Sequence, residues 1–330
     1  MTESTKRILV VGAGAIGGYF GGRLLAAGRD VTFLVRPRRA EALGRMGLQI
    51  RSPLGDVTID RPPLVLADQL GQPFDLVLLS CKAYDLDSAI AAFAPAVGPQ
   101  TVVVPLLNGM RHLDVLDRRF GADKVAGGLC LIGSTLADDG TILHLNRLHG
   151  LVYGGRDSRQ QAAVAALDAA LLGAGFDARR SDRIGLEMWE KWVMLATLAA
   201  ATTLMRAPLG AINANADGQR FLEDLREECR SVADANGFAP RESLLENVLA
   251  MIREPGSGVS ASMYRDIVRN GPTEGDHVIG DLIARAADLP VPQLRLAWVG
   301  LRAYEAQRSK APPAATGSGS AAATGSSARG

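Results

Sequence analysis

Arg7-Ile8-Leu9-Val10-Val11-Gly12-Ala13-Gly14-Ala15-Ile16-Gly17 decides how the rest of the chain is read. Four apolar residues, Ile8 to Val11, run directly into G-x-G-x-x-G, and a helix-compatible run continues to Ala27. In that order of strand, glycine loop and helix, the three glycines have separate tasks. Gly12 permits the tight turn, Gly14 lets the backbone approach a pyrophosphate, and Gly17 lets the helix pack close to the strand. The backbone of Gly12, Ala13, Gly14, Ala15, Ile16 and Gly17 would then present N–H groups to phosphate at the positive end of a helix.

Outward from this stretch, short β-branched runs alternate with helix-like ones, the pattern of a parallel sheet wrapped by helices. Expected strands are Arg7 to Val11, Val31 to Val35, Leu76 to Ser80, Thr101 to Leu106 and Val125 to Ile132, with crossover helices over Ile16 to Ala27 and Leu86 to Ala96. Residues 47–66 read as weaker short strands, and Thr141 to Tyr153 as a hairpin leading into a helix that ends at Leu172. From Arg183 the strands give way to long helical stretches punctuated by Pro and Gly. The expected organisation is an α/β dinucleotide-binding domain over 1–181, an all-helical domain over 182–308, and a flexible tail over 309–330. Of the final 22 residues, 20 are Ala, Gly, Ser, Thr or Pro, which cannot offset the entropy of ordering.

The choice between nicotinamide cofactors falls at the end of the second strand, where Asp or Glu would bond a ribose 2′-hydroxyl. Val31 to Val35 is followed instead by Arg36-Pro37-Arg38-Arg39. Guanidinium groups suit a 2′-phosphate that a carboxylate would repel, so NADP(H) is expected with Arg36 at the phosphate; a solvated basic turn is the alternative.

Composition removes other classes. Lys+Arg 36 against Asp+Glu 35 leaves no basic excess for nucleic acid, and 47% hydrophobic residues are too many for a disordered chain. The apolar run from Trp192 to Met205 is 14 residues, short of the roughly 20 that cross a bilayer, and reads as a buried helix. Lys6 and Arg7 ahead of an uncharged run imitate a signal peptide, but six glycines between Gly12 and Gly22 spoil its apolar core. Three cysteines without C-x-x-C and four histidines without ligand spacing indicate neither a disulfide framework nor a metal. A reducing, cytoplasmic location is expected, with no nucleic-acid or membrane partner; a homodimer is the assembly that long apolar helices would favour.

Further segments carry a resemblance: Ser80-Cys81-Lys82-Ala83-Tyr84, Leu107-Asn108-Gly109-Met110, Glu187-Met188-Trp189-Glu190-Lys191-Trp192, Ser262-Met263 with Asp266, and Thr273-Glu274-Gly275-Asp276. In this order behind the glycine fingerprint, the chain resembles the ketopantoate reductase (2-dehydropantoate 2-reductase) family along all but its tail. The resemblance implies a Rossmann-type doubly wound parallel sheet followed by a helical domain of the 6-phosphogluconate dehydrogenase C-terminal type. It further implies hydride transfer from NADPH to C2 of a 2-oxo acid in pantothenate biosynthesis. Lys191 would give the proton; Lys82 and Asn108 would sit at the nicotinamide end; Ser262 and Glu274 would hold substrate and cofactor.

Chemistry supports Lys191, because a ketone accepting hydride builds negative charge that a positioned ammonium both stabilises and protonates. Between Trp189 and Trp192, desolvation would lower its pKa; an exposed lysine paired with Glu187 at i,i+4 is the alternative. Lys82 and Asn108 follow strands at the sheet edge where such folds bind ligands, although Asn108-Gly109 is also an ordinary turn pair.

The likeness breaks where substrate would be read. Leu195, Ala199 and Leu209 stand where typical family members carry asparagines for the substrate's polar groups. An apolar pocket is therefore expected, with Thr202, Thr203 or Arg206 as replacement polar contacts. Three readings follow: a ketopantoate reductase, a paralogous reductase of a more apolar oxo acid or imine, and a non-catalytic NADP(H) sensor.

Overall fold

The structure is a computed structural model and describes residues 6–310. A five-stranded parallel sheet occupies its centre, built from β1 (Arg7–Val11), β2 (Asp30–Leu34), β5 (Leu64–Val65), β6 (Phe74–Leu79) and β7 (Val97–Pro105) in the order β5-β2-β1-β6-β7. The order reverses at β1, which places the glycine loop at the topological switch point. Side chains of β1 and of β6 from Leu76 onward alternate across this sheet. Ile8, Val10, Leu76 and Leu78 enter one apolar core, while Leu9, Val11, Val77 and Leu79 enter the other.

On the first face lies α1 (Ala15–Ala26), and beyond it a second sheet of β3 (Leu48–Arg51), β4 (Val57–Ile59), β8 (Gly127–Leu136), β9 (Ile142–Gly154) and β10 (Asp177–Arg180). Glycines let α1 fit between the two sheets. A Cβ on Gly21 would lie 2.5 Å from the Phe33 ring of the central sheet, and one on Gly18 2.4 Å from Ile142 Cδ1 of the second. The remaining helices of this half are α2 (Pro37–Met46), α3 (Leu86–Phe93), α4 (Arg111–Phe120) and α5 (Gln161–Leu171).

The second half is helical throughout. Its spine is α6 (Ile184–Met205), 22 residues long, surrounded by α7 (Leu209–Ile212), α8 (Ala216–Ala235), α9 (Glu242–Arg253), α10 (Ser262–Val268), a π-helix at Asp276–Gly280, α11 (Asp281–Arg285) and α12 (Pro292–Arg308). The apolar run from Trp192 to Met205 is the C-terminal part of α6, buried over much of its length and exposed at Met205. No helix of the described residues is long and apolar enough to cross a membrane, and no cluster of metal-ligating side chains occurs among them.

One expectation and two alternatives need correction. Thr141 to Tyr153 is not a hairpin: Ile142–Gly154 is one strand, and its hairpin partner is β8. The turn lies earlier, where Asp139 Oδ1 accepts from Thr141 N and Gly140 N donates to the Ala137 carbonyl. The basic stretch after β2 is a helix and not a turn, because Pro37 supplies the fixed φ of a first helical position. Lys191 does not pair with Glu187, whose carboxylate is held by Arg179 and by Ser181 Oγ at 2.6 Å. The low-complexity tail lies, from residue 311, outside the described residues.

Candidate active site

Gly12 has φ +93° and donates to the Leu34 carbonyl at 3.0 Å, turning the chain from β1 into α1. Gly14 caps α1, which has no side-chain cap and no acid in its first turn. A Cβ on Gly14 would meet nothing within 4 Å, so the helix start opens onto free space. A Cβ on Gly17 would lie 2.1 Å from both the Gly12 carbonyl oxygen and Ser80 Oγ. This is a cradle with free N–H groups, open where phosphate would approach and closed where the helix meets the sheet, and it fits a dinucleotide.

Among the arginines after β2, Arg36 is exposed and bonds Asp85 Oδ1 at 2.7 Å and Ser88 Oγ at 3.2 Å. Arg39 turns inward: its Nε donates to the Ala13 carbonyl at 3.0 Å, and Nη2 reaches the Gly140 carbonyl at 3.3 Å. Burial lowers the Arg39 pKa, whereas the hydrogen bond to Asp85 raises that of Arg36. Arg38 is exposed.

Across the cleft, Lys82 Nζ lies 3.2 Å from both Asp266 Oδ2 and Glu274 Oε2, and Glu274 Oε1 accepts from Ala83 N at 2.9 Å. Burial works to lower the Lys82 pKa, but the two carboxylates outweigh it and hold it above the ordinary value. Lys82 and Glu274 are thus brought together, and both carboxylate oxygens of Glu274 are committed to the α/β half. Ser262 begins α10 one turn before Asp266 and is exposed. A second tie joins the halves where Arg285 Nη2 meets Asp114 Oδ2 at 2.5 Å.

A narrow pocket beside this tie is lined by Leu107, Asn108, Gly109, Lys191, Trp192 and Leu195 among others. Lys191 and Asn108, from opposite halves, therefore face one space, and Lys191 forms no ion pair with any described carboxylate. Its helix is firmly anchored. Buried Glu190 is held by Arg241 through N at 2.9 Å and Nε at 2.8 Å, Trp189 packs on Trp192 with centroids 4.8 Å apart, and Trp192 Nε1 donates to the Val278 carbonyl at 2.9 Å. A roomier cleft of about 410 Å³ lies elsewhere, between Arg156, Ile184 and Phe238, and holds none of the expected site residues.

Of the three substituted asparagine positions, Leu195 lines the pocket, while Ala199 and Leu209 are buried in the apolar core. Of the expected replacement contacts, the two threonines are buried and Arg206 is exposed. Thr202 and Thr203 donate to the Leu198 and Ala199 carbonyls at 2.7 Å each, and the Arg206 guanidinium rests over the Tyr304 ring. Sequence reasoning singled out neither Arg39 alone nor the tie of Asp266 to Lys82. Arg39 could have been found from its helical position, since Pro37 at a helix start turns the third arginine back toward the glycine loop.

The chain matches the family models described as ketopantoate reductase PanE/ApbA over residues 8–157 and ketopantoate reductase PanE/ApbA C terminal over residues 183–305. It is 37% identical over 304 residues to the uncharacterized oxidoreductase YkpB of Bacillus subtilis (strain 168), covering 92% of this chain and 100% of the relative. To the 2-dehydropantoate 2-reductase of Halobacterium salinarum it is 30% identical, with 88% and 95% covered. The crystal structure of 2-dehydropantoate 2-reductase from Geobacter metallireducens GS-15 superposes with a TM-score of 0.82 at 27% identity, over 90% of this chain and 99% of that one. With its switch-point cradle and helical second half, the chain belongs to the ketopantoate reductase family of pyridine-nucleotide-dependent oxidoreductases.

Proposed function

We propose that the protein reduces a 2-oxo acid to the 2-hydroxy acid with NADPH, with Lys191 as proton donor. The observation that carries this reading is the shared pocket: an ammonium unpaired with any described carboxylate faces Asn108 at the sheet edge. When bound, the reduced nicotinamide supplies a hydride to C2 of the acid. Lys191 answers the charge that builds on the keto oxygen: one N–H bond breaks, an O–H bond forms, and the lysine is left neutral until solvent reprotonates it. Asn108 orients the reacting carbonyl, and Trp192, packed on Trp189, walls the pocket beside the ammonium. On the same reading residues 1–181 carry the dinucleotide and 182–308 the substrate-facing helices, with Ser262 at the substrate.

The cofactor is NADP(H) because the residues that follow β2, Arg36 to Arg39, offer guanidinium groups and no carboxylate of their own. Arg36 is held by a surface ion pair with Asp85, worth at most about 1 kcal/mol, and by Ser88 Oγ, contacts that a 2′-phosphate can displace. Arg39 keeps the Ala13 carbonyl turned to itself, which leaves the loop's N–H groups for phosphate. Glu274 serves the cofactor through Lys82, by holding that ammonium at the rim.

2-Dehydropantoate is the first substrate to test, and Leu195 favours a second reading, a more apolar 2-oxo acid. A hydroxyl buried against Leu195 without a partner costs about 1–3 kcal/mol, or roughly five- to 150-fold in selectivity. The test is NADPH oxidation with a panel of 2-oxo acids, wild type against Lys191→Ala. Turnover lost with NADPH binding retained supports the assignment; turnover unchanged in the variant refutes it. 2-Dehydropantoate outperforming every more apolar acid removes the second reading.

A further inference from the structure

Two buried histidines are unused by this mechanism. His112 lies in the first turn of α4, four residues after Asn108, and His277 lies in the π-helix, three residues after Glu274. They come from opposite halves of the molecule, yet His112 Nδ1 is 3.2 Å from His277 Nε2, and the rings stack at 20° with centroids 5.4 Å apart. Gly109, at φ +79°, makes room for them: a Cβ there would lie 3.0 Å from the His277 carbonyl oxygen and 3.2 Å from its ring. The next residue, Val278, receives the Trp192 indole N–H beside Lys191. One short π-turn therefore touches both the loop that carries Asn108 and the indole beside Lys191, and such turns recur at functional positions.

Shape alone does not account for imidazoles here. His112 Nε2 is buried without a partner, a cost that a phenylalanine of similar size would not carry. Burial holds both rings below their ordinary pKa, so the pair is neutral near neutral pH. The charges whose fields reach the pair divide by ring: Arg156, Lys191 and Arg285 act on His112, and Glu274, Asp281 and Arg111 on His277.

We propose that the His112–His277 pair is a positioning device, its single inter-ring hydrogen bond registering the Asn108 loop against the Glu274 turn and so fixing Asn108 relative to Lys191. The proposal rests on the reductase reading only for its kinetic consequence. Its test uses the full chain as His112→Phe, His277→Phe, the double variant and His112→Asn, whose amide can stand in for Nδ1. Each Phe variant is expected to lose about tenfold in kcat on the best acid of the panel, with NADPH affinity within about threefold of wild type. The double variant should be no worse than the poorer single one, and His112→Asn should recover most of the loss. Full kcat in either Phe variant, or losses that multiply, would overturn the proposal.

Hydrogen exchange separates this idea from the assignment of function, because it needs no substrate. Each single Phe variant should accelerate exchange in residues 107–112 and 274–279 together, as one coupled unit. Acceleration confined to the substituted segment refutes the coupling even if the enzyme is active. Coupled acceleration in a protein that reduces none of the acids supports the coupling while the functional reading falls.

Discussion

Replacing Gly14 or Gly17 by alanine adds the same methyl group to the same loop with opposite consequences. At Gly17 the new Cβ would sit 2.1 Å from a backbone oxygen and from Ser80 Oγ, inside the 3.0 Å that real contacts do not cross. Ser80 cannot easily yield, since its hydroxyl donates to the Val11 carbonyl at 2.9 Å, and the backbone cannot yield without moving α1. Overpacking of this kind costs about 1–3 kcal/mol. At roughly 2–4 °C per kcal/mol for domains of this size, the melting temperature of Gly17→Ala should fall by about 2–12 °C. At Gly14 there is free space and an ordinary φ of −84°. There the weaker alanine cap and the stiffer unfolded chain nearly cancel, so the melting temperature should stay within about 2 °C of wild type. The methyl would instead stand where backbone N–H groups meet phosphate. Loss of one charge-assisted hydrogen bond, about 1.5–3 kcal/mol, predicts NADPH binding weakened roughly ten- to a hundredfold. Thermal melts and a fluorescence titration with NADPH decide the matter. If Gly14→Ala binds NADPH as tightly as wild type, phosphate does not lie at the start of α1 and the cradle argument is wrong.

Two further outcomes follow from buried charge. Arg241→Ala strands the buried Glu190 carboxylate and should cost roughly 3 kcal/mol, the lower end for a broken pair because Arg241 is half exposed; urea denaturation giving less than about 1 kcal/mol would contradict the pairing. His112 and His277 are both held below 6.5, so the unfolded chain binds more protons once the pH drops under that value. Their contribution is complete above 6.5 and fades as pH falls toward the depressed pKa values; melts at about pH 7.5 and 5.5 should differ more for wild type than for the double Phe variant.

The chain displays some of this architecture openly and hides the rest for identifiable reasons. Ile8-Leu9-Val10-Val11 ahead of G-x-G-x-x-G is visible because strand, turn and helix chemistry all agree within eleven residues. The second sheet is obscured because β9 must pair with β8, β3 and β10 at once, and no local pattern counts partners. Lys191 stands out beside two tryptophans, yet its only visible partner at helical spacing, Glu187, is claimed by Arg179 from the preceding strand. Lys82 meets Glu274 across 192 residues and His112 meets His277 across 165, contacts that tertiary closure alone creates.

The alternation of the central strands has a last consequence. Leu9, Val11, Val77 and Leu79 share a single apolar body with Trp192, Val193 and Leu222 of the helical half. The groove above them is thus a fissure in one close-packed solid and not a gap between two independent blocks. Its width is set by the bulk of the side chains beneath it, so a methylene added or removed well below the floor would be felt by whatever molecule rests on top.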